Sequence, residues 1–213
     1  MAFFRQGMLA GARVTQVIII INVLAYVLGV SAHEPLLEAF ALWPLSSGSD
    51  SAAVPSFQVW QLVTYSFLHG SPTHLLFNML ALFMFGADLE RVWGGRRFLA
   101  YYLICVVSAA IAQLVVAALA GGPPHPTVGA SGGVFGLLIA FGMMYPRRMI
   151  MLLFPPIPMP AWLFVTLYGA LELFLGITGS QSGVAHFAHL GGMAGGFIVL
   201  QFWKGWKPRR PRY

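Results

Sequence analysis

The chain has 213 residues, of which 58% are hydrophobic and only 8% charged. A soluble domain carries about a quarter charged residues, so the composition excludes an ordinary soluble enzyme and places the chain among membrane proteins. The single cysteine, Cys105, excludes an intrachain disulfide, and the net charge of +6 is distributed in clusters that argue against a nucleic-acid partner.

All twelve basic residues fall into four clusters: Arg5 and Arg13; Arg91, Arg96 and Arg97; Arg147 and Arg148; and Lys204, Lys207, Arg209, Arg210 and Arg212. Cytoplasmic flanks of membrane spans are enriched in Lys and Arg. If every cluster is cytoplasmic, each interval holds an even number of spans. Each is long enough for two and too short for four, because a span takes about 20 residues. The expected fold class is an all-α polytopic membrane protein with six transmembrane helices and both termini cytoplasmic. No repeat is visible, and a single membrane domain over 1–213 is expected.

The first span is placed at 14–32. Its basic start and apolar run resemble a signal peptide, but no clear small-residue cleavage site follows, and the even count needs this helix retained. The external connection 33–71 is long, and loops of that length are usually functional. It holds Trp43 and Trp60, suited to an interface, and Glu34, Glu38 and Asp50, half of the acidic residues. The second span, 72–89, carries His74 and Asn78, four residues apart and so on one face. Asp88 and Glu90 at its cytoplasmic end are expected to pair with the arginines there. The third span, 98–119, contains Cys105, read as a packing or lipid-facing residue.

The fourth span, 129–146, opens on Ser131 among glycines, with the pairs Gly129/Gly133 and Gly132/Gly136. Small residues at this spacing let helices pack closely in lipid. The prolines of PPIPMP, 155–160, break any helix and read as a cytoplasmic connector. The fifth span, 161–178, carries Glu172, about 16 Å along it. The sixth, 185–203, carries His186, His189 and the pairs Gly191/Gly195 and Gly192/Gly196. His189, Gly192 and Gly196 share a face at i, i+3, i+7. The basic tail 204–213 reads as a cytoplasmic anchor near anionic lipid. His33 and His125 fall in loops and are given no catalytic part.

Polar groups inside a bilayer are costly and mark function by default. Counted at 1.5 Å per residue from the basic clusters, Ser131 lies about 24 Å, His189 about 22 Å, His74 about 26 Å and Asn78 about 20 Å above the cytoplasmic boundary. Three helices thus bring polar groups to one level, below the outer face of a hydrocarbon layer ~30 Å thick. If the fourth and sixth spans pack through their glycine faces, Ser131 meets His189. A serine hydroxyl needs a base to take its proton, and histidine is the usual one. Asn78, His74 and the N–H of Ser131, which opens a helix and lacks an intrahelical acceptor, form a candidate oxyanion hole. The alternative for Ser131 is a small packing residue. His186 is read as solvated or loop-bonded, with the role of base as its alternative. Glu172 is read as protonated or hydrogen-bonded within the bundle, with a proton relay or an orienter of the histidine as the alternatives.

Four segments resemble the rhomboid family of intramembrane serine proteases. GASG at 129–132 is similar to its GxSG motif, and AHLGGMAGG at 188–196 to its histidine segment. HGSPTHLLFN at 69–78 resembles HxxxxHxxxN, and GADLERVWG at 86–94 resembles GxxxExxxG. The resemblance implies that Ser131 is the nucleophile and His189 its base, a dyad without an aspartate. It implies that Asn78, His74 and the Ser131 N–H hold the oxyanion, and that His69 helps hold the long first loop. It also implies a cap at 178–184 and a lateral gate at the fifth span. Gly129, Gly132, Gly192 and Gly196 support the site. Phe135 stands where many members have a tyrosine stacked on the histidine, and Trp60-Gln61 where they have Trp-Arg. Stacking is expected to survive and loop anchoring to change. The implied substrates are single-span membrane proteins cut near their outer end, with no cofactor or metal, in a bacterial inner membrane with the site open to the outer face. The alternatives are a non-proteolytic rhomboid-like protein that binds membrane helices, a transporter, for which no internal repeat is found, and a metalloprotease, for which no HExxH is found.

Overall fold

The computed structural model describes residues 11–45, 55–120, 124–152, 156–179 and 185–203. The basic tail 204–213, most of the expected cap, Arg5, Asp50 and Pro155 lie outside the described residues.

The chain folds into helices, as a backbone in hydrocarbon must satisfy its own N–H and C=O groups. The long elements are α1 (Arg13–Ser31), α4 (Pro72–Ala81), α5 (Ala87–Trp93), α6 (Gly95–Ala120), α7 (Ser131–Met144), α8 (Ala161–Thr178) and α9 (His186–Phe202). Among the described residues, α1, α6 and α8 are long and apolar enough to cross a membrane. A π turn at Leu82–Gly86 joins α4 to α5, giving a helical rod from Pro72 to Trp93 about 33 Å long. α7 has 14 residues, about 21 Å, so a short helix carries Ser131 at its first position.

α1 shows the inside-out pattern of a lipid-facing helix. Thr15, Ile18 and Asn22 turn inward, while Val17, Leu24, Val27 and Leu28 are exposed. α6, by contrast, runs through the centre of the bundle with Tyr101, Tyr102, Cys105, Val106 and Ala109 fully or nearly fully buried. It takes much of the glycine packing that the sequence assigns to the fourth and sixth spans alone. A Cβ at Gly133 would strike the Tyr102 ring, and one at Gly191 or Gly195 would strike Ala112 or Ser108. The direct α7–α9 approach is left to Gly132, Gly136 and Gly192. There a Cβ on Gly192 would fall on the Gly132 carbonyl.

Arg91 and Arg148, of two different basic clusters, meet at one end of the bundle. Asp88 forms ion pairs at 2.7 Å with both Arg91 and Arg148, as expected. Glu90 does not join them. Its carboxylate accepts from the Val14 and Thr15 N–H groups at 2.9 and 2.7 Å and from the Thr15 hydroxyl at 2.8 Å. The start of α1 has unpaired N–H groups and a positive dipole end, so a buried carboxylate is better satisfied there than by an arginine. Trp203, after α9, packs edge-on against Trp93. Gly94 closes α5 with φ +77°, a positive φ that glycine adopts without strain.

The described parts of the connection 33–71 hold helical elements. These are α2 (His33–Phe40), which His33 opens, and α3 (Gln61–Thr64), followed by a 3₁₀ turn at Tyr65–Phe67. Gln61, fully buried, accepts from the Trp43 and Gln58 N–H groups. Trp60 Nε1 donates to the Ala39 carbonyl at 2.9 Å, and Thr64 donates to Phe40 at 2.8 Å. A glutamine thus anchors the loop with neutral hydrogen bonds. Leu42 and Thr127 exchange two backbone bonds, tying this loop to the approach to Ser131.

The PPIPMP connector is partly a strand. β1 (Met149–Met151) pairs antiparallel with β2 (Pro158–Pro160). Leu152 N–H bonds to the Ile157 carbonyl and Ala161 N–H to the Arg148 carbonyl, so residues 157, 159 and 161 face the partner strand. Pro158 and Pro160 fall on the outer edge, where a missing N–H costs nothing.

Candidate active site

Ser131 is set by the strand of chain before it. Gly129 donates its N–H to the Tyr65 carbonyl at 3.0 Å, and the Tyr65 hydroxyl donates to Val106 of α6 at 2.9 Å. Gly129 has φ +127°, and a Cβ there would lie 2.7 Å from the His74 ring. Conformation and space both demand glycine at this position. The chain then enters α7 at Ser131, whose N–H has no carbonyl one turn earlier to bond.

His189 lies one turn into α9, and its Nε2 is 2.8 Å from Ser131 Oγ. The Phe135 ring stacks on the imidazole with centroids 4.3 Å apart and planes 7° from parallel. Aromatic stacking is therefore kept without a tyrosine hydroxyl. On the far side of the imidazole, Nδ1 is 2.8 Å from Glu172 Oε2. The same oxygen lies 2.7 Å from Nδ1 of His186. All three side chains are buried.

The sequence reading of His186 as solvated or loop-bonded is thus corrected. It is buried because α8 and α9 pack together there, Gly176 lying close against His186 and Phe187. His186 also does not face Ser131. Its ring centroid is 6.3 Å from that of His189, and its own hydrogen bond goes to Glu172. Glu172 is hydrogen-bonded within the bundle, as expected, but its pairing with two histidines is not legible from spacing, because a loop of unknown path separates α8 from α9.

Asn78, His74, Gly129, Ser131 and His189 line one cavity of about 880 Å³. Phe77 and Met84 of the α4–α5 rod and Phe164 and Tyr168 of α8 also line this cavity. Asn78 donates one amide hydrogen to the His74 carbonyl at 2.9 Å, which leaves its second for the cavity. His125, given no part by the sequence, also lines this cavity.

His69 packs edge-on to His74, ring centroids 4.9 Å apart. Neither of its ring nitrogens makes a hydrogen bond of strict geometry among the described residues, although the Phe67 backbone of the first connection lies beside the ring; Gln61, Trp60 and Thr64 supply further ties within that connection. Burial, with His74 beside it, pushes its pKa down to about 4, so this ring is neutral near pH 7.

Comparison with known proteins agrees with this architecture. The rhomboid domain family model matches residues 56–204. Rhomboid protease GluP of Bacillus subtilis (strain 168) is 28% identical over 173 residues, covering 80% of this chain and 30% of that protein. RHOMBOID-like protein 4 of Arabidopsis thaliana is 35% identical over 140 residues, 66% of this chain and 33% of its own length. This chain therefore spans about a third of those two relatives, whereas YdcA of Bacillus subtilis (strain 168), 31% identical over 160 residues, is covered to 74%, as is this chain. With the family model spanning both glycine motifs and the helices that carry them, the chain belongs to the rhomboid family and is an integral membrane protein.

Proposed function

We propose that the protein is an intramembrane serine endopeptidase that cleaves membrane-spanning segments near their outer end. The observation that carries this reading is the 2.8 Å approach of His189 Nε2 to Ser131 Oγ within a cavity walled largely by apolar side chains. His189 takes the Ser131 proton as Oγ attacks the scissile carbonyl, then returns it to the leaving amine. Water, activated in the same way, hydrolyses the acyl-enzyme. The Ser131 N–H, the free amide hydrogen of Asn78 and the His74 ring stabilise the oxyanion. No cofactor takes part.

The same reading has six crossings, both termini cytoplasmic, in one rhomboid-like domain over 1–213. In its support, the start of α1, the end of α5, the end of α7 and the end of α9 meet at one end of the bundle through Glu90, Asp88 and Trp93. Substrate enters between the α4–α5 rod and α8, the lateral gate, since side chains of both line the cavity. The partners are single-span membrane proteins and the bilayer, in a bacterial inner membrane with the site open to the outer face.

The test is cleavage of a single-span substrate by purified protein in detergent. Ser131→Ala and His189→Ala are expected to abolish cleavage, and a chelator to leave it unchanged. A metalloprotease is the second reading, because ligand atoms of Glu172, His186 and His189 lie within 4.8 Å of one another, a donor set that suits zinc. Cleavage that survives Ser131→Ala but not the chelator would select it. No cleavage by the wild type across several substrates would select a helix-binding protein.

A further inference from the structure

We infer that Glu172 is a positioning residue for His189, and that His186 holds Glu172 in place, so that the site is a chain of four groups, Ser131–His189–Glu172–His186. This rests on the serine-protease reading above. An ionised carboxylate only accepts hydrogen bonds. One oxygen, Glu172 Oε2, lies 2.8 Å from Nδ1 of His189 and 2.7 Å from Nδ1 of His186. With Glu172 ionised, both Nδ1 atoms carry hydrogen. His189 is left with a bare Nε2, the atom 2.8 Å from Ser131 Oγ. The tautomer that can accept the serine proton is thus selected from the far side of the ring.

Position is fixed in the same way. Stacking on Phe135 holds the plane of the imidazole but leaves it free to turn within that plane. The Glu172 bond removes that freedom and aims Nε2 at Oγ. When Oγ gives its proton to Nε2, the imidazolium keeps its Nδ1 hydrogen, and the carboxylate beside it stabilises the new charge without itself taking a proton. The Nε2 hydrogen then passes to the leaving amine, which returns His189 to its neutral form with Ser131 acylated; water, giving its proton to Nε2, then releases the acyl group and Ser131 recovers that proton.

His186 explains how a buried carboxylate stays in this role. A buried carboxylate with a single donor is poorly satisfied, and each further N–H donor offsets part of the cost of burial. His186 supplies the second donor to the same oxygen. Its other ring nitrogen, Nε2, is buried with no partner among the described residues, so its hydrogen bond to Glu172 is the one polar contact it makes there. His186 and His189 are three residues apart at the start of α9, on one face, and Glu172 reaches both from α8.

The test is steady-state cleavage of a single-span substrate by the full chain, with thermal stability read in parallel. Glu172→Gln keeps the shape and removes the charge. Its kcat is expected to fall about 10²-fold, short of the ~10⁴-fold loss seen where a triad carboxylate is replaced and the wrong tautomer results, with KM unchanged. Glu172→Asp is expected to recover part of that loss. His186→Asn, whose amide nitrogen can stand near Nδ1, is expected to stay within about fivefold of wild type, whereas His186→Leu, lacking any donor, falls by tenfold or more. A Glu172→Gln enzyme with wild-type kcat would overturn the inference while Ser131→Ala remained inactive. So would equal losses in His186→Asn and His186→Leu, which would show packing rather than hydrogen bonding. If Glu172→Gln does not fold, the two His186 variants still decide. Loss of wild-type activity with a chelator would also overturn it, since an ion would then hold the three groups. Cleavage by Ser131→Ala would instead sink the serine reading itself.

Discussion

The two sides of α7 are built on opposite principles. Toward α6 the backbone at Gly132 and Gly133 lies against the side chains of Ala109 and Tyr102, and toward α9 it lies against the Gly192 backbone. Toward α4 and α8 it borders a cavity of about 880 Å³. The packed side fixes the distance between Ser131 and His189, and the open side leaves room for a substrate. A helix held tightly on one face and loosely on the other can keep a catalytic geometry of tenths of an ångström while its surroundings admit a chain.

The strongest way to break this contrast is to add volume on the packed side. Gly192→Val would drive a branched side chain into the Gly132 backbone. Overpacking a filled interior costs about 1–3 kcal/mol, and a displacement of about 1 Å between reacting groups can cost 10²-fold in rate. The expected outcome is loss of cleavage by more than about 10²-fold together with a lower melting temperature in detergent. Unchanged stability would mean that α7 and α9 do not approach as closely as they do here.

The open side should respond differently. Asn78→Ala removes a donor that lines the cavity, and its expected effect is about 10²-fold in kcat, the scale of one lost oxyanion donor. Melting should barely change, because the remaining bond of Asn78 is to its own helix. An unchanged rate would remove Asn78 from the oxyanion hole. Phe135 sits where the two sides meet. Phe135→Leu loses the stacked ring but keeps apolar volume, and about a tenfold loss of kcat is expected, near the 0.5–1.5 kcal/mol of an aromatic pair. Phe135→Tyr should stay close to wild type.

The same contrast explains how much could be read in advance. The limits of the helices were legible because charge clusters and apolar runs are properties of contiguous sequence; 161–178 coincides with α8, and the other expected segments differ from the helices by a few residues. The approach of Ser131 to His189 was legible because each sits beside glycines at helical spacing. The place of α6 was not. Its partners are glycines on other helices, and nothing in its own apolar sequence says which of its faces they meet. Glu90 and His186 were misjudged for a related reason. A charged or polar side chain finds the nearest unsatisfied group in three dimensions, and those groups, the N–H atoms opening α1 and the carboxylate on α8, come from distant parts of the chain.

The smallest effect lies outside both sides of α7, at His69. Its pKa is pushed down to about 4 from an ordinary value near 6.5, chiefly by burial. The folded chain thus binds this proton less readily than the unfolded chain does. Between about pH 6.5 and pH 4 the unfolded state carries more protons, so stability falls as pH falls, and His69 contributes to that slope. His69→Gln keeps a polar side chain without a titrating group. The expected result is a shallower drop in melting temperature between pH 7 and pH 5, with cleavage at pH 7 little altered because His69 is already neutral there. An identical pH dependence in the variant would mean that His69 reaches water in the folded state, and that the packing around His74 is looser than the 4.9 Å ring contact indicates.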